Sequence, residues 1–88
     1  MLHFKRHWDA QRGDQYSDWG TATYFFETDE AGDVKRQMEI YENGRVMKYD
    51  EAKPGDDFGG LAVHELDLQD FQPFLITEDE FTQAWNRP

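Results

Sequence analysis

"EIYENGRVMKYD", residues 39–50, decides the fold, because Asn43-Gly44 lies between two runs of alternating residues. Asn-Gly is the strongest short-range signal for a β-hairpin, since both central residues of a type I′ turn need φ > 0. A two-residue turn also fixes the register of the two strands by counting outward from it. The predicted pairs are Tyr41 with Val46, Ile40 with Met47, Glu39 with Lys48, and Met38 with Tyr49.

The strand before the hairpin joins the same predicted sheet. "TATYFFET", residues 21–28, is rich in β-branched and aromatic residues. "DEAG", residues 29–32, predicts a three-residue hairpin loop with Gly32 in the left-handed conformation, which pairs Phe26 with Arg36. The face predicted to be a core wall carries Tyr24, Phe26, Met38, Ile40, Met47 and Tyr49. The face predicted to be solvated carries Phe25, Tyr41, Val46 and an ion pair between Glu39 and Lys48.

The N-terminal segment predicts one more strand. "LHFKRHW", residues 2–8, alternates, which is typical of a half-buried strand with His3, Lys5 and His7 in solvent. On a strand His3 and His7 lie about 13 Å apart, too far to bind one metal ion. Residues 9–20 are rich in Gly, Asp and Gln and predict a long loop, in which Trp19 is interpreted as a lid on the core.

Signals after the hairpin are weaker until the C-terminus. "KPGD", residues 53–56, fits a type II turn. "LAVHEL", residues 61–66, predicts a short fifth strand, and "LDLQDF", residues 66–71, one helical turn. "LITEDEFTQAW", residues 75–85, predicts a helix capped by Thr77, with Glu80 completing a capping box and Ile76 and Phe81 forming a hydrophobic staple.

Composition restricts the class of protein. Eighty-eight residues predict a single domain, 1–88, and 16% aromatic residues predict an aromatic-rich core. The chain has no cysteine, which excludes disulfides, thiolate metal sites and thiol nucleophiles. "MLHFKRHWDA", residues 1–10, lacks the apolar region of a signal peptide, and no apolar run reaches the roughly 18 residues of a membrane span. We therefore expect a cytoplasmic protein.

Charge points to the class of partner. The net charge is −10, and residues 50–88 hold ten acidic residues against Lys53 and Arg87. Such a surface repels nucleic acid and anionic membranes and attracts basic proteins, although acidity also simply keeps a small protein soluble. The residues predicted to bind a partner are Asp50, Glu51, Asp56, Asp57, Glu65, Asp67 and Asp70, together with Tyr16 of the long loop as an aromatic anchor.

Catalytic and cofactor motifs are absent from the sequence. Ser17 is the only serine and lies in no nucleophile motif, and neither GxxxxGK[ST] nor GxGxxG occurs. Asp56-Asp57 lacks the alternating oxygen ligands of a calcium loop. We therefore predict no enzyme activity, no metal and no cofactor.

Three pieces of the chain follow a recognisable pattern: "YFFETDEAGDVKRQMEIYENGRVMKYD", "DDFGGLA" and "ITEDEFTQAWN". An R-x-x-E-I-Y-x-N-G hairpin and a closing I-[ST]-x-x-E-F-x-x-x-W helix stand in this order. In this respect residues 24–86 resemble a family of small uncharacterised bacterial domains. Members of that family resemble the small acidic proteins encoded beside bacterial toxins, which implies an association with toxin immunity.

Together these observations predict an α+β fold. It is an antiparallel β-meander of about four or five strands, with one C-terminal helix packed on one face. The predicted function is a non-enzymatic acidic protein-binding module, whose sharpest form is an immunity-type inhibitor of a basic bacterial toxin. The alternatives are a generic accessory or scaffold protein and, least favoured, a small enzyme. The oligomeric state and the identity of the partner are left open.

Overall fold

A four-stranded antiparallel sheet forms the centre of the computed structural model, which describes residues 1–9, 15 and 17–86. Its strands are neighbours in chain order, as in the predicted meander. They are β1 (Leu2–Trp8), β2 (Ala22–Thr28), β3 (Val34–Tyr41) and β4 (Val46–Asp50). A small ladder of β5 (Gly55–Asp56) and β6 (Gly59–Gly60) follows, then the helices α1 (Leu68–Phe71) and α2 (Glu78–Trp85), with 3-10 turns at Ser17–Trp19 and Gln72–Phe74. The predicted α+β class is confirmed.

The turn between β3 and β4 differs from the predicted one. The Gly44 amide donates to the Tyr41 carbonyl, and the Tyr41 amide donates to the Arg45 carbonyl, each at 2.9 Å. Gly44 has φ of 90°, whereas Asn43 does not have a positive φ. The loop therefore holds three residues, in a type I turn followed by a left-handed glycine. The type I′ prediction is wrong.

The additional loop residue moves the register of the hairpin by one. Ile40 faces Val46, Glu39 faces Met47 and Met38 faces Lys48. A shift of one residue exchanges the faces on which paired strands present their side chains. The predicted ion pair between Glu39 and Lys48 is therefore wrong.

The loop between β2 and β3 has the predicted geometry, but the register of the two strands differs from the predicted one. Gly32 has φ of 94°, and the Asp29 amide donates to the Asp33 carbonyl at 3.0 Å, as a three-residue loop requires. The register then shifts between Glu27 and Thr28, which indicates a β-bulge. As a result Phe26 faces Gln37 instead of Arg36.

Other parts of the chain cover both faces of the sheet. The prediction of one face as a core wall and the other as solvated is therefore wrong. On one face Phe25 and Met38 pack against Phe81 and Ala84 of α2, with Ile40 and Val46 beside them. On the other face Phe4 and Phe26 pack against Phe71 of α1, and a third cluster holds Trp19, Ala22 and Tyr41, with Phe58 beside them. Phe25, which was predicted to be solvated, is buried. The predicted aromatic-rich core is confirmed.

Residues 53–66 contain two further corrections. Gly55 does not have the positive φ that a type II turn at 53–56 needs, and the reversal instead lies between β5 and β6, where Gly59 has φ of 156°. Residues 61–66 form no strand. They form a connection without regular structure, with a bend at residues 63–64, and its end is held by a hydrogen bond from the Leu66 amide to the Gly32 carbonyl at 3.0 Å.

The two helices occur where the sequence predicts them. Leu68–Phe71 is the predicted helical turn before Pro73. Thr77 caps α2, since its Oγ1 accepts a hydrogen bond from the Glu80 amide at 3.1 Å. Ile76 packs against the cluster that contains Phe81, in agreement with the predicted hydrophobic staple.

Candidate functional site

The candidate binding surface is the acidic segment, which we define as residues 50–70. It crosses the face of the sheet opposite α2, and it is fastened there at several points. The Tyr49 hydroxyl donates to Asp56 Oδ1 at 3.0 Å. The Gln37 side chain donates to the Gly60 carbonyl at 3.3 Å and accepts from the Ala62 amide at 2.9 Å. These contacts give the segment a defined path over the sheet.

Three of the predicted site residues shape the backbone of this segment. Asp50 Oδ1 accepts from the amides of Ala52 and Lys53, at 3.0 and 2.7 Å. Asp56 Oδ1 accepts from the amides of Phe58 and Gly59, at 2.8 and 3.2 Å. Asp67 is the N-cap of α1, and its side chain accepts from the two amides that follow in the first turn. Sequence reasoning assigned all three to partner binding, but local hydrogen bonding accounts for their positions.

The other four predicted acids have exposed side chains. Glu51, Asp57, Glu65 and Asp70 make no hydrogen bond or ion pair through their carboxylates within the described part of the chain. Lys53 is the only lysine or arginine between residues 50 and 70, and its Nζ lies 3.9 Å from Asp56 Oδ2. The carboxylates of the segment fall into two groups along the chain: 50–57, which follows β4, and 65–70, whose start is held to the β2–β3 loop by the hydrogen bond from the Leu66 amide to the Gly32 carbonyl.

Val63 lies between the two acidic groups and is 89% exposed. The sequence predicts a strand over residues 61–66 and does not identify Val63 as a candidate site residue. The sequence carries no signal for its exposure, because the period of two of a strand places Val63 on the same face as Leu61. An exposed apolar side chain within an acidic segment can be covered by a binding partner, although single exposed apolar side chains are also common on protein surfaces.

The long loop between β1 and β2 contains the remaining predicted site residue, Tyr16, which lies outside the described residues. Trp19 in the same loop is buried, and its ring lies 5.2 Å from that of Tyr41 and 5.4 Å from that of Phe58. The interpretation of Trp19 as a lid is confirmed.

A buried cluster of charged side chains lies under α2, and sequence reasoning missed it. Glu27 accepts from Arg36 Nε at 2.8 Å and Nη2 at 2.7 Å, and its Oε2 lies 2.9 Å from His3 Nε2. His3, predicted to be in solvent, is 4% exposed, and its ring lies 5.1 Å from that of Phe81. The hydrogen bonds from Arg36, assisted by those from His3, lower the pKa of Glu27 to about 2.

A second polar cluster lies on the opposite face. The Tyr41 hydroxyl donates to Glu39 Oε1 at 2.5 Å, and the Gln37 amide nitrogen donates to Glu39 Oε2 at 2.8 Å. Burial, together with the hydrogen bond to Glu39, raises the pKa of Tyr41. Both carboxylate oxygens of Glu39 are satisfied by these donors, so the cluster is accounted for as a structural one.

Two further features are absent from residues 1–9, 15 and 17–86. No group of three or more His, Asp or Glu side chains is arranged there to hold a metal ion. Nor does either helix have the length and apolar character that crossing a lipid bilayer requires.

Comparison with protein-family models, curated proteins and solved structures found no match to this chain.

Proposed function

We propose that this chain is a non-enzymatic protein-binding module whose acidic segment binds a basic surface on a partner protein. The observation that carries the proposal is Val63, exposed by 89% between two groups of exposed carboxylates. An apolar anchor supplies affinity when it is buried by a partner, and the carboxylates around it supply specificity and a fast encounter.

The charges support a basic partner. Glu51, Asp57, Glu65 and Asp70 are exposed and have no partner of opposite charge among the described residues. A surface of this kind attracts a basic protein over roughly 8 Å at physiological salt and repels nucleic acid. The anchoring of the segment to the sheet also limits the conformational entropy that binding would cost. The absence of cysteine fits action in a reducing compartment such as the cytoplasm.

The experiment is a comparative capture of partners from the native host, followed by binding kinetics. The test variant is Asp57→Asn/Glu65→Gln, which changes the net charge from −10 to −8. The matched control is Glu78→Gln/Asp79→Asn, which removes the same charge from the first turn of α2 on the other side of the sheet. A partner is a protein that wild type and control retain and that the test variant loses.

For a partner identified in this way, we expect the test variant to lower the association rate by roughly threefold or more at low salt. Added salt is expected to slow wild-type association in the same direction. Val63→Ser is expected to weaken binding by about fivefold or more, mainly through faster dissociation. A partner that all variants bind equally well would contradict the proposal.

The immunity-type form of the proposal requires a partner of one specific class. It requires a basic toxin enzyme, such as a nuclease, whose activity falls when the wild-type chain is added. Because the inhibition would act through the acidic segment, the Asp57→Asn/Glu65→Gln variant should inhibit less than the Glu78→Gln/Asp79→Asn control. A captured partner without enzymatic activity would contradict the immunity-type form. It would not affect the general proposal that the acidic segment binds a basic partner protein.

A further inference from the structure

The turn between β3 and β4 contains the only Asn-Gly pair of the chain, Asn43-Gly44. Both residues are exposed, and a side chain at Gly44 would meet no atom within 4 Å. In such a pair the backbone nitrogen of the glycine can attack the side-chain amide of the asparagine, because glycine has no side chain to hinder the approach and its backbone turns freely. This pair is therefore the place in the chain where spontaneous deamidation is chemically easiest.

Deamidation at this pair needs only water as a co-reactant. The Gly44 nitrogen gives its proton to water or hydroxide and bonds to Cγ of Asn43, while the bond from Cγ to Nδ2 breaks and the side-chain nitrogen takes up a proton and leaves as ammonia. Water then opens the resulting succinimide ring at one of its two carbonyl carbons. The product is aspartate or isoaspartate, and either one changes the net charge from −10 to −11.

Hydrogen bonds in the folded turn hold both reacting groups. The Gly44 amide donates to the Tyr41 carbonyl at 2.9 Å, which fixes the direction of the attacking nitrogen and retains its proton. Oδ1 of Asn43 accepts from the Arg45 amide at 3.0 Å, which fixes the side chain under attack. The second central residue of a type I turn has ψ of about 0°, and closing the ring requires the Gly44 nitrogen to rotate toward Cγ. Attack therefore requires these hydrogen bonds to break.

The turn is also tied to the residues that precede β2. The Asn43 amide donates to the Trp19 carbonyl at 3.2 Å, and the Glu42 amide donates to the Thr21 carbonyl at 3.0 Å. Oε1 of Glu42 accepts from the amide and from the hydroxyl of Thr21, both at 2.7 Å. Because Trp19 is buried, these bonds connect the exposed turn to the core, and opening of the turn costs more than the fraying of an untied loop.

We propose that Asn43 is a site of deamidation that is gated by the conformation of the β3–β4 turn. The folded turn suppresses the reaction, and local opening of the turn allows it. Isoaspartate at this position would add one carbon to the backbone of the loop and displace the Gly44 amide from the Tyr41 carbonyl. The modified fraction would therefore increase with the time that the chain spends with this turn open. The proposal does not depend on the function of the acidic segment.

The test follows the mass of the peptide that contains Asn43, after incubation of the full chain at mildly alkaline pH and digestion at acidic pH, where the reaction is slow. The folded chain is compared with the same chain in guanidinium chloride and with a capped peptide of residues 39–50. Asn86, the other asparagine, is the internal control, because the side chain of Arg87 hinders the attack. We expect Asn86 to be far less modified than Asn43 in the denatured chain.

Three variants locate the gate. Glu42→Ala removes the acceptor for both donors of Thr21 and loosens the turn. Glu30→Ala is the matched control, because Glu30 lies in the β2–β3 loop with a side chain that is 83% exposed. Thr77→Ala lowers the stability of the whole fold at a position far from the turn, through the cap of α2.

We expect Asn43 to react at least about tenfold more slowly in the folded chain than in the denatured chain, which should react like the peptide. Glu42→Ala is expected to raise the rate in the folded chain by about threefold or more, whereas Glu30→Ala leaves it unchanged and Thr77→Ala changes it less than Glu42→Ala. All three variants should react like wild type in guanidinium chloride.

Equal rates at Asn43 in the folded and the denatured wild-type chain would overturn the proposal, and this comparison needs no variant. No modification of the denatured chain would overturn it as well, because the pair would then lack the reactivity. Equal rates for folded Glu42→Ala and Glu30→Ala, or a larger effect of Thr77→Ala than of Glu42→Ala, would show that the turn is not the gate.

Discussion

Glu27 binds Arg36 through both carboxylate oxygens and His3 through one of them, on the face that α2 covers. The guanidinium in turn lies 4.8 Å from the ring of Phe81 and 5.0 Å from that of Trp85. A carboxylate shared by two donors is satisfied in the folded state, and removing its charge leaves Arg36 without compensation.

Glu27→Gln is therefore expected to lower the free energy of unfolding by roughly 2–3 kcal/mol. This is less than the ~3–5 kcal/mol of a fully buried pair, since the Arg36 side chain keeps 29% of its exposure. The measurement is urea denaturation followed by tryptophan fluorescence at pH 7. Glu65→Gln, at an exposed carboxylate without an ion pair among the described residues, is the control and should change the midpoint little.

The pH dependence of this loss follows from the pKa of Glu27, which lies at about 2 instead of 4.5. A carboxyl group with a lowered pKa in the folded state stabilises the protein above its unfolded pKa, and that stabilisation is lost as the pH falls toward the folded value. The difference in stability between wild type and Glu27→Gln should therefore shrink between pH 4.5 and 2. A difference that stays constant over this range would contradict the assignment.

His3 shows what could not be predicted at this scale. The alternation of residues 2–8 correctly assigns His3 to the face of β1 opposite Phe4. It does not say what covers that face, because Phe81 comes from the far end of the chain. Likewise the acidic residues could be chosen from composition, but their roles depend on backbone hydrogen bonds, which separate Asp50, Asp56 and Asp67 from the rest.

At the scale of the element, the β3–β4 hairpin was predicted correctly and its register was not. Asn43-Gly44 predicts a turn, and two turn types accept it: type I′, and type I with a left-handed glycine. The observed one places Met38 beside Phe25 and against Phe81, in the core under α2. Packing between distant elements selects the register, and the turn sequence alone does not contain that information.

Gly44→Val is expected to lower stability by more than about 1 kcal/mol, because a β-branched residue resists positive φ. A side chain at Gly44 would meet no atom within 4 Å, so the loss is one of backbone conformation and not of packing. Gly44→Asn, which tolerates the left-handed region, should lose clearly less. Equal chemical denaturation midpoints for the two variants would contradict this account.

The cap of α2 gives a second prediction for an element. Thr77→Ala removes the acceptor for the Glu80 amide and should lower the free energy of unfolding by about 1 kcal/mol. Thr82→Ala, an exposed position within α2, serves as the control and is expected to be nearly neutral or slightly stabilising. Thermal or urea denaturation of both variants measures the difference, and the reverse order would contradict the role of Thr77.

At the scale of the whole molecule, the sheet is buried on two sides instead of one. The prediction of a meander with one helix was sound because hairpins and caps are local signals. The packing of residues 56–74 on the face opposite α2 was not predicted, because this segment has no regular periodicity. The burial of Phe58, Leu66 and Phe71 depends on how the folded chain crosses the sheet.

Phe71→Ala and Phe81→Ala test whether both covers matter. Each phenylalanine is buried, one in α1 and one in α2, on opposite faces of the sheet. Each truncation should cost ~3–5 kcal/mol. Near-native stability of Phe71→Ala beside an unfolded Phe81→Ala would show that α2 alone supports the sheet. Phe74→Ala, at a half-buried position next to Phe71, should have a smaller effect.

The position of the two covers in the chain has a consequence for synthesis on the ribosome. Every strand of the main sheet precedes residue 51, and the two helices that pack on its faces follow residue 67. A nascent chain that has emerged only as far as β4 would expose apolar side chains on both faces, including Phe4 and Phe25. We therefore expect stable folding to await the release of α2 from the exit tunnel, and chaperones that bind exposed aromatic strands to meet this chain before that moment.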